Sequence, residues 1–100
     1  MNTDEIYGSK ELERDFGPLT FGRALWAHRK CEEMSQIDFA KMLGISSQSL
    51  CDIEKGRRIP SVRRASKIAK QLGEPEKTWI RLVFQDMLRH EQLAYTVSVA

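Results

Sequence analysis

Four hydroxyl side chains and three glycines divide the middle of the chain into short helices. A Ser or Thr at an N-cap accepts a hydrogen bond from the first turn of a helix. A glycine often ends a helix because it adopts the left-handed conformation without a Cβ penalty. The caps are Thr20, Ser35, Ser46 and Ser61, and the glycines are Gly44, Gly56 and Gly73. The pattern predicts four short helices, of which the second and third are separated by only a few residues.

A fifth helix is predicted from Pro75 to about Leu93, because proline suits a first helical turn. Its apolar side chains are too many for one buried stripe, so some should pack on the domain and the rest need another partner. After it, Tyr95, Val97 and Val99 alternate with polar residues, which is typical of a short strand. We therefore expect an all-α fold of five helices with a possible short C-terminal β-strand.

Composition limits the classes to which the chain can belong. Its 100 residues have room for one domain. The 41% apolar and 30% charged fractions are those of a globular protein and argue against disordered, collagen-like and membrane classes. No apolar run approaches the roughly 20 residues that cross a bilayer, and the acidic start does not resemble a secretory signal. We expect a cytoplasmic protein with no membrane contact and with Cys31 and Cys51 reduced.

The small net charge of +2 conceals a basic middle between two acidic ends. Residues 1–18 have a net charge of −3, residues 19–73 of +6 and residues 74–100 of −1. Between Glu54 and Glu74 the charged residues are all basic, namely Lys55, Arg57, Arg58, Arg63, Arg64, Lys67 and Lys70. Such a stretch attracts polyanions, although charge alone fits a solvated helix face equally well.

Two short helices joined by a tight glycine turn, with a basic loop after the second, form the layout of a helix-turn-helix motif. The residues that define the pattern are Phe21, Gly22, Leu25, Arg29, Met34, Ser35, Gln36, Phe39, Ala40, Gly44, Ile45, Ser46, Leu50, Ile53, Glu54, Gly56, Arg58, Pro60, Ser61, Ile68, Ala69 and Leu72. Over about residues 19–73 the chain closely resembles the lambda-repressor-like family, also called the XRE type. The resemblance implies a DNA-binding domain whose recognition helix, residues 46–55, enters the major groove of double-stranded DNA.

The early, solvent-facing residues of the recognition helix are the candidates for base contacts, because the major groove admits one α-helix. They are Ser47, Gln48 and Asp52, and the resemblance implies base contacts at the same positions. Gln48 can pair both groups of its amide with adenine, and Asp52 could accept from the cytosine amino group. For Ser47, simple solvent exposure remains an equal alternative.

Phosphate contacts are expected on both sides of the recognition helix. Gln36 begins the second helix, where free backbone N–H groups and the helix dipole favour an anion, and the resemblance implies that this glutamine contacts the DNA backbone. Lys55, Arg57 and Arg58 follow the recognition helix and should bind phosphates without reading sequence. Ser49 is a weaker candidate for the same role.

Two further sets of residues have structural roles. The resemblance implies an ion pair between Arg29 and Glu54 that orients the recognition helix. Because helix-turn-helix domains commonly bind as twofold dimers, residues 74–100 are interpreted as a segment for dimerisation or partner binding, and residues 1–18 as a separate acidic segment. The expected dimer interface consists of Trp79, Ile80, Val83, Phe84, Met87, Tyr95 and Val97.

These features predict a sequence-specific transcriptional regulator, a dimeric repressor bound to a double-stranded DNA operator. The resemblance leaves open an autoregulating antitoxin, with a toxin protein as partner, and a phage-type repressor. A protein-binding adaptor with the same fold and no DNA contact is the alternative, against which the basic run argues. The sequence has no zinc-ligand spacing, nucleophile elbow or glycine-rich phosphate loop, so we expect no enzyme activity, no metal and no cofactor.

Overall fold

The computed structural model describes residues 17–93 and 95–99 of the chain. Within these residues the protein is all-α and contains no strand. Five helices follow one another in the order α1 (Phe21–Cys31), α2 (Gln36–Leu43), α3 (Ser47–Glu54), α4 (Val62–Leu72) and α5 (Glu76–His90). The five helices predicted from the sequence are confirmed.

The hydroxyl caps form as the sequence predicts. Each side-chain oxygen accepts a hydrogen bond of 3.0 to 3.1 Å from a backbone N–H in the first turn of its helix. The capping residues are Thr20, Ser35, Ser46 and Ser61. Because a cap of this kind stabilises a helix by about 1 kcal/mol, the four caps help helices of only 8 to 11 residues to form.

The five helices enclose one core. Helix α1 packs against α3 and α5, α2 packs against α3 and α4, and α4 packs against α5. The rings of Phe21 in α1 and Trp79 in α5 meet edge to face, with centroids 5.2 Å apart. The buried apolar residues are Phe21, Leu25, Phe39, Ala40, Leu43, Leu50, Ile53, Ala65, Ile68, Ala69, Trp79, Leu82 and Val83.

A carboxylate of α5 caps the first helix from a distance of 65 residues along the chain. The Phe21 N–H donates to Asp86 Oδ2 at 2.9 Å, and Arg89 Nη1 donates to Asp86 Oδ1 at 3.0 Å. Burial raises the pKa of Asp86 above its ordinary value, and the hydrogen bond from Phe21 and the charge of Arg89 oppose that rise. The contact fixes the N-terminus of α1 to the middle of α5.

Helix α5 divides its apolar residues between two faces. Trp79 and Val83 are buried in the core of their own chain, so the prediction that they contribute to a dimer interface is wrong. Phe84 and Met87 are exposed, and Ile80 is half-buried. These three residues lie at i, i+4 and i+7 and so share one face of the helix.

The C-terminal segment is held by a side chain instead of a neighbouring strand. The Gln85 amide donates from Nε2 to the carbonyl of Tyr95 at 2.8 Å and accepts from the Val97 N–H at 3.1 Å. The expected strand of residues 95–99 does not form, because an isolated strand needs a second strand to complete its backbone hydrogen bonds. Tyr95 is exposed and Val97 is half-buried.

The acidic segment predicted for residues 1–18 lies outside the described residues, apart from Gly17 and Pro18. Among the helices of the described part, none has the length and apolar character needed to cross a membrane.

Candidate nucleic-acid interface

A three-residue turn joins α2 to α3 and fixes the two helices relative to each other. Gly44 adopts a left-handed conformation with φ of 71°. Its N–H donates to the Lys41 carbonyl at 3.1 Å, and the N–H of Ile45 donates to the Ala40 carbonyl at 3.0 Å. This pair of bonds is a Schellman motif, which satisfies carbonyls at the end of α2. Ile45 packs against the core, so the turn is held both by backbone hydrogen bonds and by an apolar contact.

The Arg29 side chain in α1 and the Glu54 side chain at the end of α3 form a buried ion pair. Arg29 Nε lies 2.8 Å from Glu54 Oε2, and Arg29 Nη2 donates to Glu54 Oε1 at 3.0 Å. The two side chains are only 8% and 3% exposed. The hydrogen bond to Glu54 raises the pKa of Arg29, burial lowers it, and Coulomb attraction to Glu54 adds to the rise.

Two further hydrogen bonds extend this ion pair to α2. Arg29 Nη1 donates to the Met34 carbonyl at 3.0 Å, in the connection between α1 and α2. Gln36 Nε2, in the first turn of α2, donates to Glu54 Oε1 at 3.0 Å. The Gln36 amide, which was predicted to contact a DNA phosphate, thus donates one N–H to Glu54. Its second N–H can donate to another acceptor. The network connects α1, α2 and α3 through one buried carboxylate.

Gly22 allows α1 to lie directly against the end of α3. A Cβ at this position would stand 2.0 Å from the Ile53 carbonyl oxygen and 3.1 Å from the Glu54 carbonyl oxygen. No side chain fits in that space without moving α3 or α1. Gly22 is part of the family pattern in the sequence, but that pattern predicted no role for it. An isolated glycine inside a helical pattern is unfavourable relative to alanine, so its presence in α1 was the available signal of a close approach.

Two of the three candidates for base contacts, Gln48 and Asp52, lie one turn apart on the same side of α3. Ser47 and Gln48 are exposed, and Asp52 is half-buried. Gln48 Nε2 donates to Asp52 Oδ1 at 3.1 Å, and Arg57 Nε donates to the same oxygen at 3.1 Å. The structure therefore brings Gln48 and Asp52 together. It also pairs Asp52 with Arg57, which was predicted to bind phosphate.

The candidates for phosphate contacts surround the end of α3. Lys55, Arg57 and Arg58 are exposed in the segment that follows the helix. Arg58 Nη1 lies within 3.4 Å of the Ser49 hydroxyl, so these two candidates are adjacent on the surface. Arg57 pairs with Asp52, with Nη2 3.1 Å from Oδ1.

The basic run continues along α4. Arg63, Lys67 and Lys70 occupy its exposed face at i, i+4 and i+7, and Arg64 is half-buried. Lys70 Nζ lies 3.8 Å from Glu76 Oε1 in α5. The positive charge of residues 55–70 thus extends from the end of α3 along the neighbouring helix α4.

Metal ligands do not cluster in the part of the chain that the structure describes. No three His, Cys, Asp or Glu side chains among residues 17–93 and 95–99 are close enough to hold a metal ion. His28 lies between Glu32 and Glu74 at 3.8 and 3.7 Å, and its ring is next to Phe39.

The geometry of α2, the turn and α3 agrees with a comparison of the sequence with known families. Residues 29–79, just over half of the chain, match the family described as helix-turn-helix. The chain belongs to the helix-turn-helix family. The match confirms the resemblance found in the sequence and implies DNA binding and transcription regulation at the level of the family.

The chain is similar in sequence to three curated proteins. The chain is 46% identical over 46 residues to the uncharacterised HTH-type transcriptional regulator MJ0272 of Methanocaldococcus jannaschii, covering 46% of this chain and 70% of the relative. It is 41% identical over 64 residues to the uncharacterised HTH-type transcriptional regulator YazB of Bacillus subtilis, covering 57% of this chain and 93% of the relative. It is 32% identical over 65 residues to the endothelial differentiation-related factor 1 homolog of Gallus gallus, covering 65% of this chain and 44% of that protein. No solved structure matches the chain.

Proposed function

We propose that this helix-turn-helix protein is a sequence-specific transcriptional repressor that places α3 in the major groove. The observation that carries the proposal is the position of α3 itself. Its inner side is fixed by Gly22 and the Arg29–Glu54 pair, and its outer side presents Ser47 and Gln48 to solvent. A rigidly held helix with exposed polar side chains can form directional hydrogen bonds to base edges.

The basic side chains next to α3 can supply the electrostatic part of the affinity for DNA. Lys55 and Arg58 are exposed at the end of the helix, where they can neutralise phosphates and release counterions. Phosphate contacts of this kind position a protein on the duplex without reading its sequence. The proposed interface therefore combines a polar surface for base contacts with a basic rim.

The direct test is binding to duplex DNA measured by fluorescence anisotropy. One probe is the DNA upstream of the protein's own coding sequence, and a second is a pool of random duplexes. We expect Gln48→Ala to reduce the preference between duplexes, and Lys55→Ala to weaken binding to all of them. Lys77→Ala, which removes an exposed lysine from α5, is the matched control and should change neither. Absence of binding at low salt, or unchanged binding by the Gln48→Ala and Lys55→Ala double variant, would favour the protein-binding adaptor.

We further propose that the repressor is a homodimer that uses the exposed face of α5. Phe84 and Met87 are 37% and 45% exposed and lie beside the half-buried Ile80. One recognition helix contacts only a few base pairs, whereas a twofold dimer contacts two half-sites about 34 to 36 Å apart. Sedimentation equilibrium should give twice the chain mass for the wild type and the chain mass for Phe84→Asp. A wild-type monomer at concentrations that saturate DNA would contradict the proposal.

The finer roles of antitoxin and phage-type repressor rest on the same DNA-binding surface. They differ in whether a second protein binds the repressor. Coexpression with the product of the adjacent reading frame distinguishes them: a stable complex that represses the shared promoter supports the antitoxin, and repression by this chain alone supports the phage-type repressor.

A further inference from the structure

Asp52 joins two side chains on the exposed side of α3. Gln48, one helical turn earlier, donates from Nε2 to Asp52 Oδ1 at 3.1 Å. Arg57, in the segment after α3, donates from Nε to the same oxygen at 3.1 Å, and its Nη2 also lies 3.1 Å away. The Asp52 side chain is 28% exposed, whereas that of Arg57 is 55% exposed. The Asp52 carboxylate therefore accepts hydrogen bonds from two neighbouring side chains of the same chain.

These contacts determine how the Gln48 amide is oriented. The terminal torsion of glutamine is broad and roughly two-fold, so an unrestrained amide can present either its oxygen or its nitrogen at a given point. An ionised carboxylate accepts hydrogen bonds and donates none. Asp52 therefore keeps Nε2 on its own side and repels Oε1. One N–H of Nε2, together with Oε1, remains available to a ligand.

The groups that remain on Gln48 match one base better than the others. The major-groove edge of adenine presents an acceptor at N7 and a donor at N6, whereas guanine presents acceptors at both N7 and O6. A glutamine with one free N–H and one free oxygen satisfies both groups of adenine. Two donors would be needed for guanine, and one of the two amide N–H groups is already bound to Asp52.

We propose that Asp52 is a positioning residue that contacts no base and orients Gln48 to select an A·T pair. This inference rests on the proposed function, DNA binding through α3, and replaces the sequence-based prediction that Asp52 accepts from cytosine. Arg57 completes the arrangement because its guanidinium neutralises the Asp52 carboxylate, whose negative charge would otherwise repel DNA phosphates. Arg57 Nη2 also lies 3.7 Å from Cys51 Sγ, so the guanidinium lies along α3.

The test measures base preference with the full chain and its variants. A duplex selected from a random pool by the wild type is altered at each base pair in turn, and binding is followed by fluorescence anisotropy. The pair whose preference disappears in Gln48→Ala is assigned to Gln48. We expect that pair to be A·T in the wild type, preferred by about tenfold over the other pairs. Asp52→Ala should reduce this preference severalfold and should change it no further when Gln48→Ala is already present.

Two additional variants separate orientation from charge and from folding. Asp52→Asn retains an oxygen that can accept from Gln48, so it should keep more of the preference than Asp52→Ala. Asp38→Ala removes an exposed acid from the neighbouring helix α2 and should leave the preference unchanged. Equal melting temperatures for the wild type and Asp52→Ala establish that the change in preference does not arise from unfolding.

The outcomes distinguish this inference from the function on which it rests. If Asp52→Ala relaxes the preference at a different base pair, or if its effect adds fully to that of Gln48→Ala, Asp52 contacts a base and the positioning role is wrong. A G·C pair at the position assigned to Gln48 also contradicts the inference. A wild-type protein that selects no duplex and binds none at low salt contradicts the proposed function instead.

Discussion

Replacement of Arg29 by alanine removes the group that joins α1 to α3. The guanidinium forms two hydrogen bonds with Glu54, at 2.8 and 3.0 Å, and a third with the Met34 carbonyl at 3.0 Å. Without it, a carboxylate whose side chain is 3% exposed stays in the interior, where, among the described residues, the amide of Gln36 is its remaining side-chain partner. The variant therefore loses a buried ion pair and leaves one of its charges uncompensated.

The expected loss of stability is a large part of what a domain of this size has. Breaking a buried ion pair from one side costs about 3 to 5 kcal/mol. Because Gln36 continues to donate to Glu54, we expect the free energy of unfolding of Arg29→Ala to fall by about 3 to 4 kcal/mol. Total stabilities are typically about 5 to 15 kcal/mol. At about 4 °C or more for each kcal/mol, the Tm should fall by at least about 12 °C.

Urea unfolding followed by tryptophan fluorescence measures this loss, since Trp79 is buried against Phe21. The double variant Arg29→Met with Glu54→Leu removes both charges and should regain most of the stability. Lys30→Ala, an exposed basic residue of the same helix, should change stability by no more than about 0.5 kcal/mol. A loss below about 1 kcal/mol in Arg29→Ala, or a double variant as unstable as the single one, would refute the reasoning.

Three further predictions use the same preparations. Gly22→Ala should lower the free energy of unfolding by at least about 1 to 3 kcal/mol in the urea assay, because the new Cβ overlaps the Ile53 carbonyl; an unchanged midpoint would contradict the close approach. Asp86 has a raised pKa when folded, so its contribution to stability is fully present below the unfolded pKa and is lost as the pH rises through the folded pKa. Wild type should therefore gain stability relative to Asp86→Asn as the pH falls from about 7 to about 4, and a constant difference would contradict the burial of this carboxyl. Lys55→Ala should reduce the slope of log affinity against log salt by about 0.9, and an unchanged slope would exclude a phosphate contact there.

The helices were predictable from the sequence because their ends are encoded locally. A hydroxyl side chain that accepts from its own first turn needs no distant partner, and Ser46 and Ser61 illustrate this. Gly44 likewise ends α2, because its N–H donates to the carbonyl of Lys41 and the N–H of the following Ile45 donates to the carbonyl of Ala40. The candidate interface followed from the same information, because the early residues of a capped helix after a short turn are the ones that can face a groove.

Contacts between residues distant in the chain were not predictable in the same way. The bond from the Phe21 N–H to Asp86 joins groups 65 residues apart, and no local pattern indicates it. In α5, the residues Trp79 and Val83 form one apolar stripe and Phe84 lies on another, but periodicity does not say which stripe faces the core. The alternating residues 95–99 indicated a strand, whereas the available partner was the amide of Gln85.

The two sides of α3 have separate roles, so folding stability and base preference can change independently. The inner side is fixed by Gly22 and by the Arg29–Glu54 pair, and none of these residues lies on the side that carries Gln48 and Asp52. Substitutions of exposed residues typically change stability by no more than about 0.5 kcal/mol, whereas loss of a buried pair costs several times as much. Changes at Gln48 should therefore alter base preference without altering Tm, and changes at Gly22 should lower Tm and weaken binding to all duplexes alike. A helix-turn-helix protein built in this way can acquire a new base preference through one or two outer residues while the contacts that hold α3 stay the same.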